Sequence, residues 1–263
     1  MQEIFWLSML LGATSGLLAG LFGLGGGVLI VPALVWMFSA QQFPQELIMI
    51  MSVATSLATI VPTAISAAVT HHFLGNITWE RIFRLMPGIL IGAAMGATVA
   101  DLIDAEVLRL FFISYLLYVG FRMAMPVTIK AGAEQGNHRI DYLAGGGIGF
   151  LSSILGIGGG TLTVPYLVGR QVPMKKAVAV SSVCGLPIAI SGTITYALLG
   201  SIKTTLPDWS LGYVYLPALA GIAICSVVTA PLGAKIAHKL PAKKLKRYFS
   251  LVIFIIALKM VLG

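Results

Sequence analysis

Two short glycine clusters are the residues here best suited to chemistry: GLGGG at 23–27 and GIGGG at 156–160. Several glycines in a row break a helix and let the chain turn tightly. A helix that starts after such a break presents free backbone N–H groups and a positive dipole end. Helix starts of this kind bind anions without a charged side chain. The expected contacts are Gly23, Gly25, Gly26 and Gly27 in the first cluster, and Gly156, Gly158, Gly159 and Gly160 in the second. Close packing of membrane helices also uses small residues, but duplication of the whole break favours a binding site. Hydroxyl donors would complete it: Thr55 and Ser56, Ser181 and Ser182, and Thr161 just after the second cluster, with Thr163 beside it. In a helix the same hydroxyls also bond the carbonyl one turn back. Ser56 and Ser181 stand out because they recur at one place in a repeat. A dinucleotide site would need a strand before the glycines and a soluble unit around them, and neither is present.

Other chemistries lack their residues. All nine acids (Glu3, Glu46, Glu80, Asp101, Asp104, Glu106, Glu134, Asp141 and Asp208) fall at expected helix ends or loops. A carboxylate cage for a cation is therefore not expected, nor is a metal or organic cofactor. Cys184 and Cys225 lie in apolar stretches and suit neither a metal site nor a disulfide. His71 and His72 are read as interfacial, with a proton-coupling role as the alternative. An enzyme would need a nucleophile beside a positioned base. Ser56 and His71 are fifteen residues apart on one expected helix, about 22 Å at 1.5 Å per residue.

The elements that must position these groups follow from composition. The 263 residues are 58% hydrophobic and only 10% charged. A soluble globule needs a larger charged shell, so the expected class is an all-α integral membrane protein. The net charge of +8 belongs to loops flanking membrane helices; nucleic-acid binding is not expected, because no basic stripe lies on a soluble face. The Met-Gln-Glu start has no basic region, so the first apolar segment is expected to be retained.

The chain repeats itself. Residues 16–34 and 149–167 are identical at ten of nineteen positions, and residues 53–77 and 178–202 at eleven of twenty-five. Ser56 pairs with Ser181, Pro62 with Pro187 and Ser66 with Ser191; Gly96 pairs more weakly with Gly233. Each half reads as a glycine-broken segment (4–39 and 140–169) followed by three helices: 47–73, 83–102 and 106–125, then 174–199, 211–237 and 242–262. The expected division is a first membrane repeat over 1–125, a cytoplasmic linker over 126–141 and a second, inverted repeat over 142–263. Pro62, Pro87, Pro187 and Pro217 are expected to kink helices.

Charge selects the inverted arrangement. With each broken segment entering and returning as a hairpin, 14 of the 17 Lys and Arg fall on one side; only Arg109, Lys203 and Lys259 fall on the other. With the broken segments crossing fully, the split is 7 to 10. The positive-inside rule prefers the first, which puts the linker in the cytoplasm and both termini outside. The basic run Lys239–Arg247 reads as an anchor to anionic lipid. The expected fold is thus two inverted-topology repeats, each a glycine-broken hairpin segment plus three transmembrane helices, an arrangement typical of secondary transporters.

These motifs carry a family resemblance over essentially the whole chain. GLFGLGGGVLIVPAL, the SVATSLATI helix followed by His71-His72 and Gly75-Asn76-Ile77, and SILGIGGGTLTVPYL resemble the TauE/SafE sulfite exporter family. The resemblance implies a permease of the bacterial inner membrane for sulfite, organosulfonates or related small sulfur-containing anions. It also implies cation coupling, with proton and sodium both open. Substrate, direction and oligomeric state stay open, as do transport of another anion such as a carboxylate, a channel-like pore, an intramembrane enzyme and a scaffold. Two departures between the halves, Val180 opposite Thr55 and Ser201 opposite Asn76, predict an asymmetric site.

Overall fold

The computed structural model describes residues 2–22, 26–75, 77–124, 138–203, 206–237 and 242–262. The first half contains α1 (Gln2–Phe22), α2 (Gly27–Ala40), α3 (Gln45–Phe73), α4 (Trp79–Leu102) and α5 (Ala105–Ala124). The second contains α6 (His138–Leu155), α7 (Gly160–Gly169), α8 (Met174–Gly200), α9 (Leu216–Ala237) and α10 (Ala242–Leu262). The five elements of one half thus return in the same order in the other, each broken at its glycines. The protein is helical and its helices are apolar, as composition requires. Among the described residues α3, α4, α8 and the Leu216–Gly233 stretch of α9 are long and apolar enough to cross a membrane. At 1.5 Å per residue α2 and α7 reach only about 21 and 15 Å, short of a roughly 30 Å hydrocarbon core.

The halves interlock rather than sit side by side. α1 packs on α9 and α6 packs on α4, while α3 and α8 cross at the centre and α5 lies against α10. Small residues permit the close approach in both outer pairs. A Cβ at Gly12 of α1 would lie 2.4 Å from the Ile222 carbonyl oxygen, and one at its counterpart Gly145 of α6 would lie 2.4 Å from that of Leu85. Further along, Gly233 meets Leu17 at 2.1 Å and Gly96 meets Phe150 at 2.3 Å. Residue numbers rise together in both pairs, so each pair runs parallel. The duplicated serines are part of this scheme: Ser66 Oγ donates to the Val227 carbonyl and Ser191 Oγ to the Leu90 carbonyl, each at 2.8 Å.

Two boundaries differ from the sequence reading. Residues 211–215 are not helical. Ser210–Leu211 and Val214–Tyr215 form a two-stranded antiparallel hairpin around Gly212 and Tyr213, and α9 starts after it. Among the described residues this hairpin has no counterpart in the first half, where α3 ends at Phe73 and α4 starts at Trp79. Its placement puts Pro217 in the first turn of α9, where a missing N–H costs nothing; Pro62, Pro87, Pro187 and Pro231 are the helix-interior prolines of these segments. Finally, α6 begins at His138, inside the stretch read as the linker; residues 125–137 lie outside the described ones.

Candidate functional site: two glycine breaks at the crossing of the halves

Each break is turned by glycine in a conformation that other residues rarely adopt. Gly26 caps α2 with φ 74° and Gly159 caps α7 with φ 71°. An L side chain there costs about 1–2 kcal/mol. Neither helix start has a side-chain cap, so its first N–H groups keep their hydrogen-bonding capacity. Gly23 and Gly25 lie outside the described residues.

The breaks meet. A Cβ on Gly27, the first residue of α2, would lie 2.3 Å from the carbonyl oxygen of Gly156. Ser56 Oγ donates to the same oxygen at 2.7 Å. That carbonyl therefore fills the approach to the first turn of α2, and Ser56 is tied to the second break. Gly158 lies alongside, and a Cβ at Gly185 of α8 would be 3.0 Å from its carbonyl oxygen. A narrow crevice with room for about one water molecule opens here, lined by Ala19 of α1, Ile60, Thr63 and Ala67 of α3, Gly158, and Ser182 and Gly185 of α8.

The expected hydroxyls separate into roles. Thr55 is buried and its Oγ1 accepts the backbone N–H of Tyr215 at 3.0 Å, which holds the hairpin against α3. The Tyr215 ring packs edge-on to Phe38 and Phe43, and Tyr213 donates its hydroxyl to Asp101. Burial and that carboxylate push the Tyr213 hydroxyl far above the usual tyrosine range. Ser182 lines the crevice but donates to the Val178 carbonyl one turn back at 3.0 Å. Ser181 is buried in α8. Thr161, beside Gly160 in the first turn of α7, shares a hydrogen bond with the Tyr115 hydroxyl of α5. The structure brings Gly27, Ser56, Gly156, Gly158 and Ser182 around one place and assigns Thr55 to a loop contact.

Two serines were missed by the sequence reading. Ser152 and Ser153, at the end of α6, are fully buried and their hydroxyls have no hydrogen-bond partner; Thr163 of α7 is in the same state. The signal was in the repeat. At the fixed offset, Ser152, Ser153, Thr161 and Thr163 stand opposite Ala19, Gly20, Val28 and Ile30. At these four positions the second break carries hydroxyls and the first apolar residues or glycine; the serine beside Gly26 is Ser15, which bonds back to Gly12.

Charge stays away from this centre. Glu46, Glu80, Glu106 and Asp141 lie in the first turns of their helices, where they offset the positive dipole end. His71 is buried in the last turn of α3, whereas His72 is exposed beside Trp79. Among the described residues no three His, Cys, Asp or Glu side chains are grouped to hold a metal ion.

Four helices long and apolar enough to span, beside two segments broken at glycines, define an apolar helical membrane protein, and comparison with known proteins gives its class as a transporter. The family model described as sulfite exporter TauE/SafE matches residues 8–260. A probable membrane transporter protein of Haemophilus influenzae is 37% identical, covering 97% of each chain. One from Methanocaldococcus jannaschii is 30% identical over 97% of this chain and 95% of its own. A probable membrane transporter protein of Magnetospirillum gryphiswaldense, MamO, is 25% identical, with 98% of this chain matching 45% of that longer protein. No solved structure matches. The chain belongs to the TauE/SafE sulfite exporter family.

Proposed function

We propose that the protein is a secondary transporter moving sulfite, an organosulfonate or a related small sulfur-containing anion across the bacterial inner membrane by alternating access. One observation carries the reading: the two glycine breaks, far apart in sequence, touch at Gly27 and Gly156, and Gly158 of the second lines a crevice between α3 and α8. Irregular backbone at membrane depth is tolerated only inside protein or beside a wet cavity, and helix starts left uncapped there suit an anion. The family description, sulfite exporter, supports the sulfur oxyanion. The halves are inverted relative to each other. Parallel packing of α1 on α9 and of α4 on α6 supports this: with successive helices alternating in direction, α6 then runs opposite to α1. The 14-to-3 division of Lys and Arg supports a cytoplasmic linker and outer termini. The anion is held by backbone N–H groups at the breaks, from among Gly23, Gly25, Gly26, Gly27, Gly156, Gly158, Gly159 and Gly160. Hydroxyls near them assist.

The test is uptake of radiolabelled sulfite and taurine into proteoliposomes under an imposed proton or sodium gradient. Saturable, gradient-dependent flux of either anion is expected. Absence of flux for every sulfur anion, from protein shown to be folded, overturns the substrate and moves the search to carboxylates. Flux that never saturates replaces the transporter with a pore.

A further inference from the structure

The two breaks invite the expectation of a symmetric site, but the hydroxyls around them are not symmetric. Many Ser and Thr of these helices bond the carbonyl four residues back, as Ser52, Thr63, Thr70, Ser182, Thr195 and Thr229 do. Like Ser8, Ser153 and Thr193, Ser152 and Thr163 are among those that do not. Both are wholly buried and both hydroxyls are without a hydrogen-bond partner. They also face one spot. A Cβ placed on Gly159 would lie 3.3 Å from Ser152 Oγ and 3.4 Å from Thr163 Oγ1, and 2.4 Å from Ile188 Cδ1, the tip of a side chain that now covers the spot. That spot is the N-terminal cap of α7, a helix of ten residues with no side-chain cap. Unpaired buried hydroxyls destabilise a fold, and these two lie beside an uncapped helix start.

We infer that the anion seat belongs to the second half alone: Ser152 and Thr163, with the backbone N–H groups at the start of α7, hold the oxygen-bearing head of a small oxyanion. Two O–H donors and a helix-start N–H give at least three donors converging on one point. That matches the three oxygens of a sulfite or sulfonate head. Glycine at 159 is required by its φ of 71°, and Ile188 Cδ1, 2.4 Å from where a Cβ would sit, swings aside to admit the guest. The neighbouring Gly158 lines the crevice between α3 and α8, which widens to let the guest in. The first break cannot host a second seat. Ala19 and Ile30 replace the two hydroxyls, and the Gly156 carbonyl already occupies the approach to Gly27. The inference rests on the anion-transporter reading and locates its site.

The experiment is calorimetric titration of the purified full chain with sulfite, methanesulfonate, phosphate and acetate at constant ionic strength. The double variant Ser152→Ala/Thr163→Val is compared with the native chain and with Thr163→Ser. Binding of a sulfur anion is expected, at one site per chain. The double variant loses about 10- to 100-fold in affinity, the range for hydrogen bonds to a charged partner, and Thr163→Ser stays near the native value. Without ligand, the double variant melts at or above the native temperature, because two unsatisfied hydroxyls are gone; a purely structural role would lower it. Should the double variant not fold, Thr163→Val alone, which keeps the side-chain shape, carries the comparison. Unchanged affinity in the variant overturns the seat and leaves the transporter reading standing. Binding of phosphate or acetate only, lost in the variant, supports the seat and overturns the sulfur substrate. Binding of none of the four anions overturns the seat.

Discussion

The two glycine breaks share a skeleton and differ in lining. Both are turned by a glycine with φ above 70° and both lead into a short uncapped helix. Around the second stand Ser152, Ser153, Thr161 and Thr163; around the first stand Ala19, Gly20, Val28 and Ile30. The first break meets a backbone carbonyl, that of Gly156, whereas the second meets unpaired hydroxyls. The path of the chain is shared while the side chains differ: the first copy makes the contact and the second carries the polar lining. The connection between the third and fourth elements shows the same divergence. In the second half it carries a hairpin that reaches across to Thr55 of the first half; among the described residues the first half has no hairpin there.

The largest effect is expected from Gly27→Leu. Its Cβ would lie 2.3 Å from a backbone oxygen that cannot move without moving the second break, so transport in proteoliposomes should vanish. Retained transport would mean that the breaks need not touch. Next comes the graft Ala19→Ser/Ile30→Thr, which gives the first break the lining of the second. Each new hydroxyl is buried without a partner and costs about 1–3 kcal/mol. Chemical denaturation should show the loss, and titration should still count one anion per chain. A second bound anion would make the breaks equivalent after all. A single hydroxyl matters less. Ser56→Ala leaves the Gly156 carbonyl without its donor and should destabilise by about 1–3 kcal/mol. Thr55→Val should release the hairpin at a similar cost, seen as faster hydrogen exchange at Tyr215. The smallest effect is expected from Ser182→Ala, whose hydroxyl only bonds back along its own helix; stability should stay within about 0.5 kcal/mol.

Much of the path of the chain was readable from residue types. The glycine clusters marked both breaks, and the limits of α3, α4, α5, α8 and α10 follow the apolar runs between loops. What was not readable has physical causes. The hairpin at 210–215 rests on strands of two residues each, too short to show an alternating pattern, and the repeat held no copy to compare. The pairing of α1 with α9 was hidden because lipid and protein both accept apolar faces, so hydropathy does not say which side meets a helix. Its trace was the glycine spacing at 12, 16 and 233. For the site, the breaks were visible but the division of labour among hydroxyls was not. Ser56 and Ser152 look alike in sequence, and only the fold decides that one has a carbonyl to bond and the other has none.

The interlocking of the halves bears on how the protein is made. Gly12 finds its partner at Ile222, 210 residues later in the chain. Translation at about 5–20 residues per second separates their synthesis by roughly 10–40 s. Through that interval α1 lies in the bilayer with its glycine face against lipid instead of α9, and neither half owns the contacts that would let it close alone. The nascent chain is thus open to capture by insertion factors and quality-control proteases until α9 arrives, and a truncation anywhere before Leu216 strands α1 in that exposed state.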